Sequence, residues 1–160
     1  MDDSIYSFDE KKLECICREK LWMEDPKYFK SVKIGPSAVI KMIMHGQSGV
    51  DNGIKKGGKP IEVMGLLLGR PDTEDPRSFI ITDAQALPIE GFETKVVADD
   101  DKVLNYMIEL QESNEVSRKE GFCGWYHTHP FDLGERNHCF LSNTDISTQL
   151  SWQRTEDSRG

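Results

Sequence analysis

Apolar residues are in short supply: 37% of the chain is hydrophobic against 30% charged. That balance excludes a transmembrane protein and leaves room for long polar loops. The first ten residues carry four acids and no apolar stretch of signal-peptide length, so nothing marks the chain for export and a cytoplasmic and nuclear location is expected. Cysteine is scarce as well. Cys15, Cys17, Cys123 and Cys139 form neither a CxxC pair nor a zinc-finger spacing, so they read as free thiols in a reducing compartment, Cys139 as a half-buried one near the chemistry proposed below. Positive charge is the minority sign, 20 Lys and Arg against 28 Asp and Glu. The net charge of -8 repels a phosphate backbone, so no nucleic-acid partner is expected, and with so few apolar residues no membrane partner either. A basic or polar protein surface fits better.

What is present fits one domain, since 160 residues bury a single core. There is no internal repeat. Residues 1–31, charged and short on periodic apolar positions, read as an N-terminal extension with Tyr6, Phe8, Leu21, Trp22, Tyr28 and Phe29 available to pack as an arm. After Gly35 and Pro36, Ser37 is the candidate cap of a helix in which Val39, Ile40, Ile43 and Met44 recur at helical spacing up to His45. The stretch DNGIKKGGKP, residues 51–60, has the composition of a flexible loop. Residues 61–69 and 78–86 read as strands, and Gly65 inside the first predicts the close approach of a neighbour. Asp99, Asp100 and Asp101 open a helix to about residue 119 with Val103, Leu104, Met107, Ile108 and Leu110 on its inner face, ended by Gly121. A buried strand at 122–128 follows, then a last helix at 142–152 capped by Ser142 with Ile146 and Leu150 inward. Strands alternate with helices, which predicts an α/β sandwich over residues 32–153 and a polar tail at 154–160.

The chemistry concentrates in Gly124-Trp125-Tyr126-His127-Thr128-His129-Pro130. Two histidines two residues apart on a strand project from the same face, a ready pair of metal ligands. Asp145, at the start of the last helix, can complete a three-ligand site with an open fourth position for water, the arrangement of catalytic rather than structural zinc. Glu62, the one acid introducing an apolar strand, is the candidate base, and Ser142 can offer its hydroxyl to a developing oxyanion. Each residue also has a plain structural use: a hydrogen-bonded strand histidine, a solvated strand-end acid, a serine cap, a first-turn aspartate favoured by the helix dipole. Singly, none carries the argument. His45 and His138 read as surface histidines without a role.

Taken together, Glu62-Val63-Met64-Gly65-Leu66-Leu67-Leu68-Gly69, the Gly124 to Pro130 segment and Ser142-Asn143-Thr144-Asp145 resemble the JAMM motif of MPN-domain metalloproteases, in which the same pieces lie in that order. The resemblance extends to residues 28–49 and 87–91. It implies an α/β MPN (JAMM, cytidine-deaminase-like) domain with a central β-sheet flanked by helices, one Zn2+ on His127, His129 and Asp145, Glu62 as base and Ser142 beside the oxyanion. Leu21-Trp22 and Tyr28-Phe29-Lys30 are similar to the branch of the family found in the COP9 signalosome. That branch implies the other signalosome subunits as partners and cullins carrying the ubiquitin-like modifier Nedd8 as substrate, the activity being deneddylation. A deubiquitinase of the proteasome-lid type and a non-catalytic MPN scaffold or fragment are the alternatives. Two features depart from the family pattern. Fifteen residues separate His129 from Asp145, more than is usual because of the stretch at 131–138. Family members also continue past the last helix, so the C-terminal part of the domain is expected to be missing. The polar stretch at 90–101 reads as a gating loop or a plain connection.

Overall fold

Asp9 accepts a hydrogen bond from the backbone N–H of Lys12, and this cap starts α1 (Glu10–Glu19), which closes on Lys20 in the left-handed conformation. A short 3-10 turn (Leu21–Met23) follows. The computed structural model describes residues 5–90, 101–118, 120–130 and 141–157. Trp22 stacks on Phe29, and Phe29 meets Phe79 of the sheet edge-on at 5.1 Å between ring centroids. The segment read as an extension is thus fastened to the domain by its aromatics, at about 0.5–1.5 kcal/mol per ring pair beyond the area buried.

Among the described residues four strands form one mixed sheet in the order β1 (Ser31–Ile34), β3 (Ser78–Glu90), β2 (Val63–Pro71), β4 (Gly121–His127). β1 runs parallel to β3, and β2 is antiparallel to both β3 and β4. Alternation along β2 sends Met64 and Leu66 to one face, where they join Leu87 of β3 and Val103 of α3 (Asp101–Ser117) in the core. Trp125 of β4 and Trp152 of α4 (Asn143–Asp157) pack against that cluster. The opposite face takes α2 (Pro36–Gly57). Buried Asp83 of β3 clamps the two layers, accepting from Lys41 of α2 and from Arg118 just beyond α3, each at 2.7 Å. This is the α/β sandwich that the sequence predicts, a central sheet with helices on both faces.

The boundaries differ in instructive ways. α2 starts one residue before the expected cap: Gly35 is the N-cap, Pro36 takes the first helical position, and Ser37 donates its hydroxyl proton to the Thr82 carbonyl instead. The helix then runs through 51–57, the expected loop, to Gly58 in the left-handed conformation. Its glycines face the chain that leads into β2. A Cβ on Gly49 would lie 2.6 Å from Val63 Cγ1, and one on Gly53 would lie 2.3 Å from the Lys59 carbonyl oxygen, so the stretch is glycine-rich for close packing, not for flexibility. Val39, Ile40, Ile43 and Met44, the apolar positions that suggested the helix, lie exposed on its outer side.

Close approach at Gly65 is met: a Cβ there would sit 2.4 Å from the Tyr126 ring. β2 begins two residues later than expected and β3 runs four residues further, to Glu90. On α3, Val103 is buried and Met107 and Leu110 reach the core as expected, whereas Ile108 is exposed, and Gly121 opens β4 instead of ending the helix. α4 continues through 153–157 into the expected tail, and Ile146 and Leu150 point outward while Asp145 and Trp152 turn in. Cys15, Cys17 and Cys123 are free thiols. Asp99, Asp100, the gating stretch at 91–100, the loop at 131–140 with His138 and Cys139, and the Leu104 side chain lie outside the described residues. No helix among the described residues is long and apolar enough to cross a membrane.

Candidate metal centre

β4 pairs with β2 so that Met64 lies opposite His127. The ladder then continues through side-chain and backbone bonds at its end: the Thr128 N–H donates to the Val63 carbonyl at 3.1 Å, and the Val63 N–H donates to Thr128 Oγ1 at 3.0 Å. Thr128 therefore occupies both backbone groups of the residue that follows Glu62. By strand alternation it sends His127 and His129 to the other face, toward α4. Behind this tip, Gly46 of α2 lies against the Thr128 methyl and His45 Nδ1 bonds the Tyr126 hydroxyl at 2.9 Å. His45 is thus a half-buried supporting residue, not the surface histidine expected, and burial lowers its pKa.

α4 delivers the third group. The Asp145 N–H donates to Ser142 Oγ at 3.1 Å, and the Ser142 N–H donates to Asp145 Oδ2 at 2.6 Å, a reciprocal cap that fixes the carboxylate at the helix start. Asp145 is buried, with Oδ1 3.2 Å from His127 Nε2 and Oδ2 3.4 Å from His129 Nε2. The two imidazole Nε2 atoms are 2.6 Å apart. Burial pushes the Asp145 pKa up, but the bonds from Ser142 and the two histidines outweigh it and hold the carboxyl below its ordinary value. Burial, with help from the neighbouring His129, lowers the His127 pKa against the pull of Asp145. A neutral imidazole and an ionised carboxylate are the ligand forms a cation needs.

Four-coordinate zinc with bonds near 2.0–2.1 Å places its ligand atoms about 3.3 Å apart. The two carboxylate to imidazole separations match that figure, and the shorter one between the imidazoles is a hydrogen bond whose proton a cation would replace. One donor from each of His127, His129 and Asp145 lies within 4.8 Å of the other two. The donor set, two imidazoles and a carboxylate, is one that catalytic zinc takes.

Glu62 is half-buried just before β2. Burial raises its pKa, while the charge of His129 opposes the rise and that of Asp145 adds to it; in the chain it adjoins Val63, whose backbone is held by Thr128, the residue between the two histidines. Ser142 accepts from Asp145 N–H, and a hydroxyl that accepts still has its own proton to donate. His127, His129, Asp145 and Ser142 thus gather where the end of β4 meets the start of α4, and Glu62 lies in the chain just before the β2 end that pairs with that tip.

Two supports escaped the sequence reading. Trp125 stacks on His127, with ring centroids 5.0 Å apart and planes inclined by 26°, and its indole N–H donates to Gln149 Oε1 at 2.8 Å. Thr128 lies between the histidines, and only the β2 pairing reveals what it holds.

The family description "JAB1/Mov34/MPN/PAD-1 ubiquitin protease" matches residues 27–158. The chain belongs to that family. This MPN domain is 40% identical over 156 residues to the COP9 signalosome complex subunit 5b of Arabidopsis thaliana, covering 97% of the chain and 38% of the relative. It is 42% identical over 156 residues to subunit 5 of Caenorhabditis elegans, with 97% and 38% covered. Against subunit 5 of Drosophila melanogaster the figures are 41% over 149 residues, 92% of the chain and 40% of the relative. The chain thus spans about two fifths of the length of these curated relatives.

Proposed function

We propose that the chain is the catalytic domain of a zinc-dependent isopeptidase that removes Nedd8 from cullins as the catalytic subunit of the COP9 signalosome, in the cytoplasm and nucleus. The observation that carries this reading is the convergence of one donor each from His127, His129 and Asp145 within 4.8 Å of one another; Glu62, just before the paired strand, has a raised pKa. The likeness to signalosome subunit 5 proteins favours that complex and that substrate class over a proteasome-lid deubiquitinase.

His127, His129 and Asp145 would hold the ion. Zinc bound there supplies Lewis acidity, bringing the pKa of a water near neutrality and polarising a carbonyl. Glu62 takes the proton of the attacking water as its oxygen bonds to the isopeptide carbon. The C–N bond then breaks, and Glu62 returns the proton to the departing lysine amine while the modifier leaves with a C-terminal carboxylate. The Ser142 hydroxyl donates toward the carbonyl oxygen as it gains negative charge. A raised pKa suits Glu62 to this shuttle, because an acid nearer neutrality both accepts and returns the proton readily.

Elemental analysis of the purified chain tests the reading: about one zinc per wild-type chain and none in the His127→Ala/His129→Ala variant is expected. A folded wild-type chain without zinc would sink it. Cullin–Nedd8 and ubiquitin–lysine conjugates, offered in parallel, separate the two isopeptidase classes.

A further inference from the structure

Asp145 and Gln149 stand one helical turn apart on α4. The first reaches His127 directly. The second reaches it through an aromatic ring: Gln149 Oε1 takes the indole proton of Trp125 at 2.8 Å, and that indole lies nearly parallel to the His127 imidazole. The Gln149 Nε2 also makes a long contact of 3.5 Å to Gln153 Oε1 on the same helix. The indole also meets Trp152 of the same helix, 6.4 Å between centroids and tilted by 49°. The Trp125 ring thus has its edge, one face and its partner ring set by α4 and β4 together.

We propose that Gln149 is a positioning residue for the metal centre: it fixes the indole of Trp125 against the His127 ring, so that α4 sets the orientation of a ligand on β4 as well as supplying its own. The physical reason is rotational. An imidazole on a strand turns about two side-chain bonds, and its Nε2 lone pair must aim within 10–20° of the ion to bond well. A stacked ring restricts that rotation only if the ring is itself held, and Trp125 without an acceptor for its N–H is held by packing alone. Groups that orient a metal ligand from behind typically carry 10–100-fold in metal affinity. Because the hydrogen bond here acts through a stacking contact, the low end is expected.

This inference rests on the metal-centre reading, and its test keeps the two apart. Zinc dissociation constants are measured by chelator competition for the wild type, Gln149→Met, Trp125→Phe and the double variant, with the indole N–H exchange of Trp125 followed by NMR in those zinc-free chains that keep the tryptophan. Methionine keeps the length of the side chain without the acceptor, and phenylalanine keeps a stacking ring without the donor. Gln149→Met is expected to bind zinc about tenfold more weakly and to expose the indole proton to exchange. The double variant is expected to be no weaker than Trp125→Phe alone, because both changes break one bond. Gln149→Glu, which keeps an acceptor, restores the indole protection. Zinc affinity unchanged in Gln149→Met, losses that add in the double variant, or no rescue of protection by Gln149→Glu overturns the positioning role while leaving the metal centre standing. A wild-type chain that binds no zinc overturns both.

Discussion

The β2–β4 ladder carries a buried polar cluster at each end, about 20 Å apart along the strands. At one end, where Gly69 pairs with Gly121, Arg70 lies buried against Glu120, Nε to Oε1 3.6 Å. Glu120 also accepts from the Thr82 hydroxyl at 2.5 Å. The Arg70 guanidinium donates to the carbonyls of Ile5 and Pro71, at 2.8 and 3.3 Å, and the ring of Phe8 covers it at 4.3 Å. At the other end stand His127, His129, Asp145 and Glu62. The first cluster is complementary in charge, cation against anion, and it fastens the N-terminal residues to the sheet, although the buried Arg70 Nε reaches Glu120 only as an ion pair and has no hydrogen-bond partner. The second aims three electron-pair donors at one point with an acid beside them. Burial alone does not separate structure from function here; the sign and direction of the buried groups do.

If that contrast is right, changes at the two ends must fail differently. The largest effect is expected at the centre: Glu62→Gln should keep its zinc and lose about a thousandfold or more in turnover on the conjugate, within the range for a general base. Turnover and zinc content measured on one preparation check this. Unchanged turnover removes Glu62 from the mechanism, and lost zinc makes it a ligand or a folding residue.

At the opposite end, Glu120→Ala leaves the Arg70 charge buried without its partner and should cost about 3–5 kcal/mol of stability. Denaturant unfolding of the zinc-free chain reads that loss. Zinc affinity measured under native conditions should stay within about twofold of wild type. A variant as stable as wild type would show that Arg70 finds compensation elsewhere, and the contrast between the two ends would collapse.

Between the ends, Gly65 tests how far the ladder transmits strain. A methyl there meets the Tyr126 ring at 2.4 Å and the Gln85 carbonyl at 2.5 Å, so one of them must move. Gly65→Ala is expected to cost about 1–3 kcal/mol, the usual range for overpacking. Because Tyr126 adjoins His127, zinc affinity should fall in the same variant, which Glu120→Ala does not cause. Calorimetric melting beside a zinc titration separates the two effects.

The strand at the site and the order of its pieces were legible because their signals are local. An apolar run with one glycine, His-x-His on an extended segment, and Ser-x-x-Asp at a helix start each constrain geometry within a few residues. What stayed hidden depends on partners distant in sequence. Residues 51–57 read as a loop because glycine is a poor helix former and a proline closes the stretch, and only Val63 and Pro60 packed against Gly49 and Gly53 explain the glycines. The apolar stripe of α2 and the Ile146 and Leu150 pair of α4 proposed inner faces that the fold turns outward, since helical spacing shows that a face exists and not which neighbour it meets. Gln149 and Thr128 gain their meaning from one bond each, to Trp125 and to Val63, and no spacing rule announces either.

The smallest expected effect concerns a pair that belongs to neither cluster. His45 and Tyr126 share a hydrogen bond without a formal charge, and burial lowers the His45 pKa while raising that of Tyr126 to about 12. Above an ordinary histidine value near 6.5, folded and unfolded chains both hold His45 neutral and the pair gives no pH dependence. As the pH falls through that value, the unfolded chain takes up a proton that the folded one resists, so stability drops until the lower folded pKa is reached. His127 shifts in the same direction and adds its own slope. His45→Gln should therefore make the loss of stability below pH 6.5 shallower without removing it, as read by denaturant unfolding of the zinc-free chain across that range. An unchanged slope would mean that the folded chain admits the His45 proton freely. The support behind Tyr126 would then be looser than the 2.9 Å bond implies, and the centre of the ladder would be held by its packing alone.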